Sequence, residues 1–240
     1  MPSFNQSIFH PAVFFLTGIP GLETRQIWTS IPFCCLYVIA ISGNGMILFV
    51  IITESSLHEP MYYFLSMLSF MDLGLCLSTL TTMLGIFWFN AREISFDACI
   101  GQMFFIHGFT FMESSVLLAM AFDRFIAICN PLRYPIIMNR RTCVQIAAGS
   151  WMTGCLTAMV EMMSVLPLSL CGNSIINHFT CEILAILKLV CVDTSLVQLI
   201  MLVISVLLLP MPMLLICISY AFILASILRI SSVEGRSKAF

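Results

Sequence analysis

Long uncharged apolar runs alternate with short polar stretches along this chain, and their spacing predicts an all-α membrane protein. Between Arg25 and Glu54 there is no charged residue. That run exceeds the roughly 20 apolar residues that cross a bilayer as helix, so span one is placed at 27–52. Comparable runs place span two at 61–86, span three at 99–126, span four at 143–166 and span five at 195–228. Outside them lie a polar, mixed tail over 1–26, a long loop over 167–194 and a further polar segment over 229–240. Gly43-Asn44-Gly45 puts an amide inside span one, where lipid offers no partner, so hydrogen bonds to neighbouring helices are expected. Pro210 and Pro212 interrupt span five, and Ser219-Tyr220 lies near its end.

Composition agrees with this and removes alternatives. Hydrophobic residues make up 60% of the 240, charged residues only 9%, and mean hydropathy is +1.04. Soluble domains carry roughly 25% charged residues. Net charge is -2 with no block of one sign, which argues against nucleic acid as a partner. The opening residues lack a basic start, a long apolar core and a small-residue cleavage site, so span one is expected to serve as the insertion signal.

Orientation follows from the basic residues. Arg124, Arg133, Arg140, Arg141, Arg229, Arg236 and Lys238 fall on one side, and Arg25, Arg92 and Lys188 on the other. Excess Lys and Arg mark the cytoplasmic face, so the N-terminus is expected outside the plasma membrane. The Asn5-Gln6-Ser7 sequon on that tail then becomes a glycosylation site at Asn5. Most of the 11 cysteines, such as Cys34, Cys35, Cys76, Cys155 and Cys217, sit in apolar runs and act as small hydrophobes. Cys99, Cys171, Cys181 and Cys191 face the oxidising side, where disulfides persist. Four cysteines allow three connectivities, and spacing does not choose among them.

The stretch from Met120 to Tyr134, MAFDRFIAICNPLRY, closes span three with an acid and an arginine at the membrane rim, and Asn130-Pro131 then stops the helix. It closely resembles the third-helix signature of odorant receptors, a branch of the rhodopsin-like G-protein-coupled receptors. Leu57-His58-Glu59-Pro60-Met61-Tyr62 is similar to the turn between their first two helices, and Thr17-Gly18-Ile19-Pro20-Gly21-Leu22-Glu23 to the tail of the fish-like class I members of the 51/52 type. Arg236-Ser237-Lys238-Ala239-Phe240 resembles the lead into span six. The resemblance thus implies a rhodopsin-like bundle with five of seven helices present, truncated after the fifth.

What the resemblance implies about sites is as follows. Cys99 pairs with Cys181 as a staple across the bundle, and Cys171 with Cys191 inside the loop. His107, Thr110 and Phe111 on one face of span three line a ligand pocket in its outer half, with Glu161 and Ser205 as neighbours. A lone histidine in an apolar helix would otherwise read as packing. Small volatile or carboxylic-acid-like odorants are the implied ligands. The span-six arginine that anchors acids in some relatives has no counterpart in this chain. Asp123 holds Arg124 at rest and frees it for a stimulatory heterotrimeric G protein, with Tyr220 supporting the active arrangement. Phe125 stands where the family usually has tyrosine. Asp72 and Glu113, acids at membrane depth, are expected to share a sodium ion or a proton, or else to form a neutral hydrogen-bonded pair. No other cofactor and no metal is expected.

Other classes fit less well. A transporter would show glycine- or proline-broken spans in two matching halves, which are not found. An enzyme would need a nucleophile and base on one face, and His107 and the cysteines do not provide that. A non-signalling truncated product retained in the endoplasmic reticulum is the remaining alternative.

Overall fold

The computed structural model describes residues 11–19, 26–57, 59–170 and 174–228. Asn5, His58, Cys171 and the whole of 229–240 therefore lie outside the described residues. Five helices or helix pairs are long and apolar enough to cross a membrane. They are α1 (Gln26–Thr53), α2 (Pro60–Phe89), α3 (Phe96–Cys129), α5 (Arg140–Val165), and α7 (Ser195–Leu208) continued by α8 (Pro210–Leu228). α4 (Tyr134–Ile137) and α6 (Ile183–Leu187) are short connecting helices. Each span extends one to three residues beyond the ends expected from hydropathy, or stops within one residue of them, because caps rather than apolar content set the boundaries.

Those caps follow from local chemistry. Pro60 opens α2 after Glu59 in extended backbone, its missing amide hydrogen costing nothing at the first helical position. Asn90 closes α2 in the left-handed region at φ 52°. The Ser95 hydroxyl accepts the Ala98 amide at 3.3 Å to start α3, and Asp97 adds a negative charge beside the positive end of the helix dipole. Asn139 starts α5 in the same way, accepting from Thr142 at 3.0 Å. Pro210 cannot donate to an upstream carbonyl, so the fifth span breaks at Leu209 and resumes as α8.

α3 is the axis of the bundle and packs against α2, α5 and α8, while α1 packs on α2. Small residues let the backbones approach. Gly108 of α3 faces Gly154 and Ala158 of α5, the close helix crossing that small residues permit where lipid supplies no hydrophobic drive. Large apolar side chains such as Trp28, Leu36, Phe49 and Leu202 point outward, which is the surface expected against lipid rather than water.

A cap built around the N-terminal strand closes one end. β1 (Val13–Leu16) lies between β2 (Glu93–Ser95), antiparallel, and β3 (Ile175–Ile176), parallel. Val13 stands opposite Ser95, and Phe15 stands opposite both Glu93 and Ile175. Alternation turns Phe14 and Leu16 inward, fully buried beside Ile176, Cys99 and Cys181. The polar tail inferred from composition therefore contains a buried strand. Its four residues are too few to register in an apolar-run reading.

Candidate functional site

The half of the bundle beneath this cap holds two adjoining clefts of about 350 and 400 Å³, a volume suited to one small ligand. His107, Thr110 and Phe111 of α3 and Ser205 of α7 line the first; His107, Glu161 of α5 and Ser205 line the second. The structure thus brings together all five residues expected there. His107 Nδ1 stands 2.8 Å from Glu161 Oε2, and Glu161 is only 1% exposed. The contact lacks hydrogen-bond geometry, and that buried oxygen has no hydrogen-bond partner among the described residues. Thr110 spends its hydroxyl hydrogen on the Ile106 carbonyl at 2.8 Å, leaving a lone pair toward the cleft.

The roof comes from the long loop. Cys99 and Cys181 form a disulfide with Cα atoms 5.4 Å apart, joining the start of α3 to the loop 82 residues later. Cys191 is disulfide-bonded as well, while its expected partner Cys171 falls outside the described residues. Sequence reading missed Gln102, which is 8% exposed. Its amide nitrogen donates to the Ser78 carbonyl at 2.7 Å and the Thr82 hydroxyl at 2.6 Å, and its oxygen accepts the Cys181 amide at 2.9 Å. It thereby fixes the roof to α2 and α3 beside the disulfide. The one available signal was its position one turn after Cys99. Glu182 was missed too; it lines both clefts and sits 3.6 Å from His178. Tyr37 donates to Thr79 at 2.8 Å and adds the wall from α1.

At mid-depth, the acidic side chains of Asp72 on α2 and Glu113 on α3 lie beside each other where the two helices pack. Glu113 Oε1 is buried without a hydrogen-bond partner among the described residues. Asn44 corrects its expectation. Its amide donates to the Ala40 carbonyl of its own helix at 3.1 Å, because the oxygen four residues back is always in reach of a short polar side chain.

The end of the bundle opposite the cap also differs from the resting arrangement that the resemblance implied. Asp123 is 1% exposed and accepts from the Tyr134 hydroxyl at 2.8 Å. No ion pair between Asp123 and Arg124 forms within 4 Å among the described residues, where the ion pairs present involve histidines. Adjacent residues on a helix point in different directions, so the nearest partner for Asp123 comes from the turn beyond Pro131 instead. Burial first, then the bond to the Asp123 carboxylate, pushes the Tyr134 hydroxyl well above its usual range, so it stays a donor at any physiological pH. Phe125 packs edge-on against Phe222 of α8, and Cys129 Sγ meets Ser226 Oγ at 3.4 Å. Tyr220 is 53% exposed and does not reach this network.

A family profile described as Olfactory receptor matches residues 33–240. Olfactory receptor 13F1 of Homo sapiens is 67% identical over 228 residues, covering 95% of this chain and 72% of that protein. Olfactory receptor 51F2 of Homo sapiens is 50% identical over 242 residues, covering 100% and 70%. Olfactory receptor OR51C1 of Homo sapiens is 50% identical over 228 residues, covering 95% and 73%. The chain belongs to the olfactory receptor family.

The receptor is accordingly a rhodopsin-like, G-protein-coupled, multi-pass protein of the plasma membrane and not an enzyme. Relatives of the 51 series among the matches agree with the class I tail motif at Thr17-Gly18-Ile19-Pro20-Gly21. The receptor's α3 runs from the roof disulfide, past the cleft and the Asp72–Glu113 pair, to Asp123-Arg124 at the end opposite the cap. One rigid element therefore spans every candidate site.

Proposed function

We propose that this receptor holds a small volatile odorant, the carboxylic-acid-like ligands of class I relatives included, in the outer cleft. Binding there drives a stimulatory heterotrimeric G protein through Asp123-Arg124, with the N-terminus outside the cell. The convergence of His107, Thr110, Phe111, Glu161 and Ser205 beneath a disulfide-anchored roof carries this reading. Tyr134 keeps Asp123 occupied, so Arg124 is not locked by its neighbour and needs only a shift of the inner helix ends to meet the G protein.

The test is a cyclic-AMP response in cells, alongside surface staining. Arg124→Gln should abolish the response while surface staining persists. His107→Ala should raise the half-maximal ligand concentration about tenfold, the equivalent of one charge-assisted hydrogen bond worth about 1.5 kcal/mol. An undiminished response from either variant would end the proposal. The rival, a non-signalling chain retained in the endoplasmic reticulum, is separated by comparing this chain with a version extended by two further helices. Retention and silence of this chain beside a signalling longer version would support the rival.

Asp72 and Glu113 are proposed to share a sodium ion or a proton. The closeness of the two acids and the unpartnered Glu113 oxygen support this reading, since a lone buried carboxylate at that depth is costly. With Asp72→Asn, ligand affinity should lose its dependence on sodium. An unaltered sodium dependence would exclude the ion.

A further inference from the structure

The roof over the clefts is joined to α3 through two atoms of one residue. Cys181 Sγ is bonded to Cys99, and the Cys181 amide donates to Gln102 Oε1 at 2.9 Å. Cys99 and Gln102 are three positions apart and share a face of the helix. A disulfide leaves the bonds between sulfur and backbone free to change rotamer, so that link alone would let the loop swing about it. The second link, on the backbone itself, stops that swing.

Gln102 can hold the roof because its own amide is held. Its Nε2 donates to the Ser78 carbonyl at 2.7 Å and to the Thr82 hydroxyl at 2.6 Å, both on α2. Both amide hydrogens are therefore spent, and the oxygen must face Cys181; a flipped amide would set donor against donor. The side chain is buried, where such bonds are electrostatically stronger than in water.

This clamp carries the ceiling of the ligand cleft. Phe179, Thr180 and Glu182 flank Cys181 in sequence and line the first cleft with it. At the helical rise, His107 lies about 7.5 Å and Thr110 about 12 Å deeper along α3 than Gln102. Gln102, Ser78 and Thr82 stand behind the lining rather than in it. We infer that Gln102 is a positioning residue for ligand choice: by tying the Cys181 backbone to α2, it sets how long a molecule fits between the roof and Thr110. This rests on the cleft being the odorant site.

The probes are straight-chain primary alcohols and the matching carboxylic acids, graded by one methylene. Cyclic AMP is measured on the surface-expressed full chain, and amide hydrogen exchange at Cys181 on the same protein in nanodiscs. In the parent, potency should climb about fourfold with each methylene that meets apolar wall, then drop once the chain reaches the roof. Gln102→Met keeps the length and bulk of the side chain and removes all three bonds. The Cys181 amide should then exchange about tenfold faster, and longer probes should gain about tenfold over shorter ones. Thr82→Val removes one bond and touches neither roof nor cleft, so its shift should have the same direction and be smaller; the double variant should match Gln102→Met alone. An equal loss of potency across the series would make Gln102 a structural support only and overturn the inference, as would unchanged exchange at Cys181. Should Gln102→Met not reach the surface, Thr82→Val decides by the same two readouts. A parent at the surface that answers to neither series, while Gln102→Met still loosens the Cys181 amide, would sink the odorant reading of the cleft and the inference with it, leaving the clamp intact.

Discussion

Cys181→Ser should strip the receptor from the cell surface. The bond it removes closes a loop across 82 residues of sequence, for which chain entropy alone gives about 4–5 kcal/mol. The helices stay inserted in lipid without it, so the loss falls on the cap. There, Phe14, Leu16 and Ile176 are buried around the disulfide and belong to no helix that could hold them separately. The Gln102 bond to the Cys181 amide then has nothing to fix it in place. Surface staining should fall to less than about a tenth, and the response with it, as a loss of several kcal/mol exceeds the marginal stability of a cap. The double variant Cys99→Ser with Cys181→Ser should be no worse than the single one, since the two cysteines form one bond. Normal staining and signalling from the single variant would show that the cap does not depend on this link.

The second large effect is expected from one methyl group. Gly154→Ala places a Cβ 2.8 Å from the Gly108 carbonyl oxygen and into the Met112 side chain. A methionine can swing away, but a backbone carbonyl in the middle of α3 cannot, so α3 and α5 must move apart. Overpacking of this kind costs about 1–3 kcal/mol, outweighing the helix-propensity gain of about 1 kcal/mol that replacing glycine gives. Gly149 on the same helix is the control, because a Cβ there meets nothing within 4 Å. Gly149→Ala should raise the thermal midpoint in detergent or nanodiscs, and Gly154→Ala should lower it. The opening also separates His107, the residue before Gly108, from Glu161 on the helix being displaced, so ligand potency should fall with stability. Shifts of the same sign at both glycines would mean that the α3–α5 crossing is not set by close backbone contact.

The sites differ in how far they could be read without coordinates. His107, Thr110 and Phe111 were legible as one face because helical periodicity fixes which residues in a single element point together. That Glu161 and Ser205 belong with them rested on resemblance, since nothing local ties α5 and α7 to α3. The Asp123 partner was misplaced for the converse reason: proximity in sequence pointed to Arg124, whereas the hydroxyl that reaches the carboxylate comes from Tyr134, eleven positions on. Gln102 gave no signal beyond its place one turn after Cys99, because a single amide in an apolar helix shows neither what it faces nor that it supports a roof from a distant loop.

What the sequence determined by itself is the set of spans, their caps and the family. Hydrophobic length and helix-stopping residues act within one segment, and the Asp-Arg to Asn-Pro-Leu-Arg-Tyr stretch is contiguous. What only the tertiary structure decided is contact and cover: that His107 stands against a buried glutamate, that Asp123 is held by a tyrosine, and that a four-residue strand from the tail completes the cap. The histidine–glutamate contact and the strand depend on segments brought together from far apart in the chain, and the Asp123 contact on how the chain folds back after Pro131; no periodicity within one segment encodes those distances.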